Sequence, residues 1–388
     1  MLGKNKTIKT FSMYNIEVKD KELQYFTTLE QNNTLEQLKF HWTRTRPIGQ
    51  GFSNLFQTAH VALPKELDYV SIHRVISRSK SLEDLENGNN TNNKNKEFKK
   101  YCCGLIVMHS TNKVDVVQVE NFEWKQKKME LADLRHLMTG LTHGNHPTNK
   151  IVLPFECTNS DMLKAVSHML RTNLKIKVDF AQIPFHDIKL SEGFSELLQT
   201  NQTVTLPSEI LYKKSLSEEE MQHLMRGLRT NTTIQTVDIS STVPLKDKMC
   251  HYISTCFGFA QKETKTPAIG AMKNMKQDWN DNQNSNRKIK VIADWNSIDD
   301  IGGGFKAVLA SNQDVSIPKE LNFKHNLSAE HIKYLSQGME YNNCVKVINL
   351  SKSDFTDTKA ENLVLVFDKN KNVKIICNWN NINEIGKG

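Results

Sequence analysis

From Leu216 to Ser240 the chain reads LSEEEMQHLMRGLRTNTTIQTVDIS. Met221, Leu224, Met225 and Leu228 recur at helical spacing, Asn231 ends the helix, and Val237 and Ile239 alternate as a strand. The pattern predicts a unit of one helix, a turn and one short strand. The unit is repeated. GFSELLQTNQTVTLPSEILYKKSLSEEEMQHLMRGLRTNTTIQTVDIS, starting at Gly193, matches GFKAVLASNQDVSIPKELNFKHNLSAEHIKYLSQGMEYNNCVKVINLS, starting at Gly304, without a gap at an offset of 111 residues. Leu216 then falls on Leu327, Gly227 on Gly338, Asn231 on Asn342 and Ile239 on Leu350. A third copy opens at Gly51 with GFSNLFQTAHVALPKEL.

Phe40, Leu63, Val119, Leu153, Phe180, Leu206, Ile239, Ala293, Ile317, Leu350 and Cys377 mark the last inward position of successive strands. Most intervals lie between about 23 and 34 residues, the range of stacked strand-plus-helix units. The two long intervals contain polar inserts, 78–100, read as a disordered loop, and 261–287, whose AMKNMKQDW suggests a short helix. One phrase also recurs three times, as WTRTRPIGQGF (Trp42 to Phe52), WNSIDDIGGGF (Trp295 to Phe305) and WNNINEIGKG (Trp379 to Gly388). Its Gly-x-Gly reads as a turn that needs positive φ or close approach. A phosphate loop would carry Lys-Ser/Thr after it or sit in a βαβ context.

The string L-x-x-L-x-x-N-x-T-[IL]-x-x-[LV]-x-[LI] resembles the leucine-rich repeats of the ribonuclease-inhibitor type, from about Val18 to Trp379. Two features depart from that family. Ser240 and Ser351 stand where an ascending-loop Asn is usual, and a second strand type, VALPKE, IVLPFE, VTLPSE and VSIPKE, puts Pro straight after the strand. The resemblance implies an α/β solenoid, a horseshoe with a parallel concave β-sheet of ten or eleven strands and convex helices, occupying 1–388 as a single domain. Such degenerate repeats are also similar to those of effectors that intracellular bacteria deliver into host cells. That likeness implies a cytoplasmic location, or delivery into a host cell without a classical signal peptide.

Composition fits an elongated shape: 38% of the 388 residues are hydrophobic. The net charge of +8 comes from 51 basic and 43 acidic residues, and the two inserts hold +2 each, which weakens a basic nucleic-acid stripe. The seven cysteines follow neither a disulfide framework nor a zinc spacing. The longest apolar run, CCGLIVM at Cys102 to Met108, is too short to span a membrane, and no apolar signal-peptide core is seen at the N-terminus. The terminal WNNINEIGKG, which lacks the helix that follows WNSIDDIGGGF, suggests that the chain ends inside a repeat.

Residues alternating with the inward ones are the candidate partner-binding face: Lys39, His41, Lys177, Asp179, Thr236, Asp238, Lys290, Ile292, Asp294, Val347, Asn349, Lys374, Ile376 and Asn378, with Thr205, Ser240 and Ser316 beside them. Ile292, Val347 and Ile376 are apolar where water is expected, which marks a patch for a partner. His136, His143 and His146 lie close in sequence but in a turn without a matching Cys/His pair, so no metal site is expected. Cys102 and Cys103 read as buried inert thiols, and no catalytic set or cofactor motif stands out. The function expected is a protein-binding repeat scaffold, monomeric and not an enzyme. Two other readings are carried along: a substrate-recruiting region of an enzyme whose catalytic part lies beyond residue 388, and a nucleic-acid binder using Lys39, Lys177, Lys290 and Lys374.

Overall fold

The computed structural model describes residues 6–8, 10–13, 19–27, 37–40, 49–57, 66–68, 122–123, 129–142, 149–180, 183–258, 289–378 and 380. Both polar inserts, together with His41, Trp42, Cys102, Cys103, His143, His146 and Trp379, lie outside these residues. The chain divides into two compact units, Met1–Lys189 with Gln202–Thr205, and Leu190–Asn201 with Leu206–Gly388.

The first unit runs β1 (Thr10–Met13), α1 (Asp20–Thr27), β2 (Gln37–Phe40), α2 (Gln50–Gln57), β3 (Glu66–Asp68), β4 (Phe122–Glu123), α3 (Leu131–Thr142), β5 (Lys150–Leu153), α4 (Ser160–Thr172) and β6 (Lys177–Phe180). The second runs α5 (Glu192–Leu198), β7 (Glu209–Leu211), α6 (Glu218–Leu228), β8 (Thr236–Asp238), α7 (Asp247–Cys256), β9 (Lys290–Ile292), α8 (Gly303–Ala310), β10 (Glu320–Asn322), α9 (Ala329–Met339), β11 (Val347–Asn349), α10 (Asp357–Lys369) and β12 (Lys374–Ile376). The protein is thus α/β, with short strands alternating with helices. Every described strand pair is parallel, as a helix crossover between successive strands requires. In the second unit α5 to α10 pack one on the next in chain order.

The strands do not form one ladder. Described residues give sheets β1-β2, β4-β3-β5-β6, β7-β8-β9 and β10-β11-β12. The interruptions coincide with the proline-bearing strings, and here the expected register was wrong. In VTLPSE and VSIPKE the strand follows the proline, as Glu209–Leu211 and Glu320–Asn322, and residues 203–206 and 314–317 form turns. A strand at Glu66–Asp68 likewise follows the proline of VALPKE, whose residues 61–65 lie outside the described ones, and IVLPFE has its strand before the proline, at Lys150–Leu153. Proline has no N–H to donate, so it suits a strand's entrance and interrupts pairing with what precedes it. Hydroxyls partly bridge the gap. Ser316 Oγ accepts from Val291 N at 2.9 Å, and Thr205 Oγ1 accepts from Val178 N at 3.2 Å. These two residues therefore serve as ladder substitutes and not as binding-face side chains.

The helices begin and end as their sequences dictate. Ser217 and Glu220 form a reciprocal capping box on α6, and Ser328, Thr356 and Asn159 cap α9, α10 and α4. At the other end of four described helices a buried asparagine ties the turn to the preceding unit. Asn231 Nδ2 donates to Leu198 O, while its Oδ1 accepts from Thr233 N at 3.0 Å and Ile234 N at 2.7 Å. Asn342, 111 residues on, repeats this with Leu309 O, Cys344 N and Val345 N. Asn173 and Asn370 likewise donate to Leu141 O and Asn342 O. In these four units a turn-closing asparagine is therefore supplied from the helix side, although Ser240 and Ser351 had made that device look absent. Asn231→Ala is expected to cost about 2–3 kcal/mol, because three backbone groups lose a buried partner together. Urea unfolding checks this; a loss below about 0.5 kcal/mol, the level of an ordinary surface change, would mean water replaces the amide.

Candidate functional site

Each strand of the second unit is only three residues long, so its middle side chain points to the helices and the outer two point to solvent. Ile210, Val237 and Val291 form the inward row of one sheet, and Leu321, Ile348 and Ile375 that of the next. All but Ile375, which is half-buried, are buried. The solvent face of β7-β8-β9 carries two rows, Glu209, Thr236, Lys290 and Leu211, Asp238, Ile292. That of β10-β11-β12 carries Glu320, Val347, Lys374 and Asn322, Asn349, Ile376. Both sheets therefore start with Glu on the first strand and end with Lys on the third. Strand spacing of about 4.8 Å separates the two charges by roughly 10 Å. Leu211 is 44% exposed, and Ile292, Val347 and Ile376 are half-buried.

In the first unit Glu66, Lys150 and Lys177 stand in register on β3, β5 and β6. Asp68, Val152 and Asp179 make the companion row, and Asp179 approaches both Lys177 (3.3 Å) and Lys150 (3.7 Å). Lys39 does not join the series. It is the third residue of β2, whereas Lys177, Lys290 and Lys374 open their strands, so Gln37 occupies the opening place.

Four expected binding residues also have local work. Asp238 Oδ1 accepts from Ser240 N at 2.9 Å, Asp294 from Asn296 N at 3.3 Å, Asn349 from Ser351 N at 3.0 Å and Asn378 from Asn380 N at 3.1 Å. Each closes a turn just after a strand, which accounts for a short polar residue at that place. The residues that remain free of such a task on the second unit's face are Thr236, Lys290, Ile292, Val347, Lys374 and Ile376. Sequence reading missed Glu209, Leu211, Glu320 and Asn322, because the strand was placed before the proline.

The Gly-x-Gly phrase has a definite role. Asp247, at the start of α7, sends its carboxylate to Gly302 N (2.9 Å), Gly304 N (3.0 Å) and Phe305 N (2.8 Å), at the N-terminus of α8. Gly302 brings no side chain to cap that helix, so the carboxylate of the preceding unit does so. The first copy repeats the device: Asp20, at the start of α1, accepts from Gly49 N (2.9 Å) and Gly51 N (3.1 Å). Positive φ is not the reason for the glycines. Among the described residues it occurs at Asn201, Asn312 and Gly258. Close approach is the reason, since a Cβ on Gly304 would lie 2.0 Å from Asp247 O and one on Gly51 2.1 Å from Asp20 O. The anion-binding amides that could suggest a nucleotide site are occupied by the protein's own carboxylates.

Trp295 is 4% exposed and opens a short turn of 3-10 helix after β9, so it follows the strand and does not end it. Among the described residues no cluster of His, Cys, Asp and Glu could hold a metal ion, and His136 stands on α3. Burial pushes the Cys157 and Cys256 thiols up to about 12, far from a nucleophile's range. No described helix is long and apolar enough to cross a membrane. No protein-family model matches the chain, and neither does any curated protein.

Proposed function

We propose that this protein is a leucine-rich-repeat-like solenoid that binds another protein through the solvent face of its parallel sheets. The observation that carries this is the repetition of one surface pattern: Glu and Lys at fixed strand positions, with Leu211, Ile292, Val347 and Ile376 between and beside them. Exposed apolar side chains set among spaced charges suit a protein partner, and a preformed face loses little ordering entropy on association. Nucleic acid is disfavoured by the same pattern. Both sheets of the second unit open with Glu, and Lys177 is bridged to Asp179, so no uninterrupted row of phosphate-seeking charges exists along the described strands. The likeness to effectors delivered into host cells extends the proposal to a host protein as partner.

Ile292→Asp is expected to leave thermal stability within about 1 kcal/mol, since the side chain is half-exposed, and to weaken partner binding by roughly tenfold or more. Affinity capture with the intact chain and with Ile292→Asp makes the comparison. Tyr341→Ser, at an exposed site beyond α9, is the off-face control. Equal capture by all three proteins would remove the sheet face as the binding surface.

A further inference from the structure

We propose that Asp357 clasps the segment Trp379 to Gly388 against α10, its carboxylate accepting from the amides of Gly386 and Gly388. The clasp stands apart from the sheet face and does not depend on that face being a binding surface. Residues 379 and 381–388 lie outside the described ones, and two described copies of the device show what the same letters build. Asp20 accepts from Gly49 N and Gly51 N, and Asp247 accepts from Gly302 N and Gly304 N. Each of these aspartates is the first residue of its helix. Among the ten described α-helices, three open with aspartate, namely α1, α7 and α10. In the described element order each of the three is followed by one strand and then by one of the three phrases that run from Trp to Gly-x-Gly.

The spacing agrees as well. Asp20 stands 29 and 31 residues before its two glycines, and Asp357 stands 29 and 31 residues before Gly386 and Gly388. The wider interval at Asp247, 55 and 57 residues, contains the second polar insert. Trp295, Ile298 and Ile301 of the second phrase are buried, and Trp379, Ile382 and Ile385 hold the same places in the third. The segment therefore carries the apolar side chains to be packed as well as the amides to be held. The second glycine of the phrase is required in both described copies, because a Cβ there would lie 2.1 Å from Asp20 O or 2.0 Å from Asp247 O. Gly388 meets the same requirement opposite Asp357. Amides held by a carboxylate are charge-assisted, the stronger kind of hydrogen bond. The clasp thus fastens the chain just after β12 to the helix that precedes that strand.

The test is amide hydrogen exchange on the full chain, isotope-labelled at glycine, with the free peptide WNNINEIGKG as the unclasped reference. Gly386 and Gly388 should exchange roughly tenfold or more slower in the protein than in the peptide, since the clasp must open before they exchange. Asp357→Ala should return both amides to the peptide rate, while Thr358→Ala, at the exposed neighbour, should leave them slow. The Gly304 amide, held by Asp247, is the internal standard and should stay slow in every variant, which separates an opened clasp from a protein that has unfolded. Gly388→Ala leaves α10 untouched and should free the Gly386 amide by about the same factor, so the outcome is decided even where Asp357→Ala fails to fold. Peptide-like exchange at Gly386 and Gly388 in the wild type, or slow exchange that survives either of these two variants, overturns the proposal.

Discussion

Gly304→Ala should destabilise the second unit by about 3–4 kcal/mol, whereas Gly303→Ala, one residue earlier, should stabilise it by about 0.5–1 kcal/mol. The contrast comes from what each methyl group would meet. At 304 it would stand 2.0 Å from Asp247 O and 2.6 Å from His251 N, both backbone atoms that cannot rotate away. At 303 nothing lies within 4 Å, the residue is exposed, and alanine is the better helix former. The displaced chain at 304 would also separate Asp247 from the three amides that it holds. Asp247→Ala should accordingly reproduce a large part of the loss, about 2–3 kcal/mol, without any added bulk. Denaturant melts of the three variants make the comparison. If Gly303→Ala and Gly304→Ala behave alike, the packing of α8 on α7 is looser than described and the carboxylate cap is not what holds it.

Much of the unit's construction was legible, because the two gap-free copies repeat contacts as well as letters. Gly227 and Gly338 both press on the helix before them, with a built Cβ 2.8 Å from Leu198 and 2.9 Å from Leu309, and Asn231 and Asn342 make matching bonds. The strand register at the prolines was not legible. V-T-L and E-I-L-Y both alternate, and period two alone cannot say which of two adjacent alternating strings pairs. Turn chemistry would have helped elsewhere. Asp238 and Asn349 are each followed two residues on by serine at a strand's end, a spacing that suits a side-chain-to-backbone turn. The partner of the Gly-x-Gly loop was beyond reach, since Asp247 stands 55 residues before Gly302, across the second insert. Only the fold brings that carboxylate to those amides.

Trp295→Ala should cost about 3–5 kcal/mol and rank with the largest effects of any single side-chain truncation in the second unit. The indole lies against Phe305, ring centroids 6.4 Å apart, and Phe305 in turn meets Phe323 edge-on at 6.4 Å. Trp295 Nε1 also donates to Ser316 O at 2.9 Å, at the junction where the β-ladder between β9 and β10 is interrupted. Truncation therefore removes a packed ring and one of the bonds that span the junction. Trp295→Phe separates the two contributions: it keeps most of the ring stack and should lose about 1–2 kcal/mol for the unpaired carbonyl and the smaller ring. Ser316→Ala removes the neighbouring bond to Val291 N and should cost about 1 kcal/mol. Because both bonds hold one junction, Trp295→Phe and Ser316→Ala should be non-additive when combined, by about 0.5 kcal/mol or more. Strict additivity in a double-mutant cycle would show that the junction is held by the helices alone. Ile292→Asp, three residues before Trp295 on the opposite face, supplies the control, and if it unfolds the protein as Trp295→Ala does, the inward and outward faces have been exchanged.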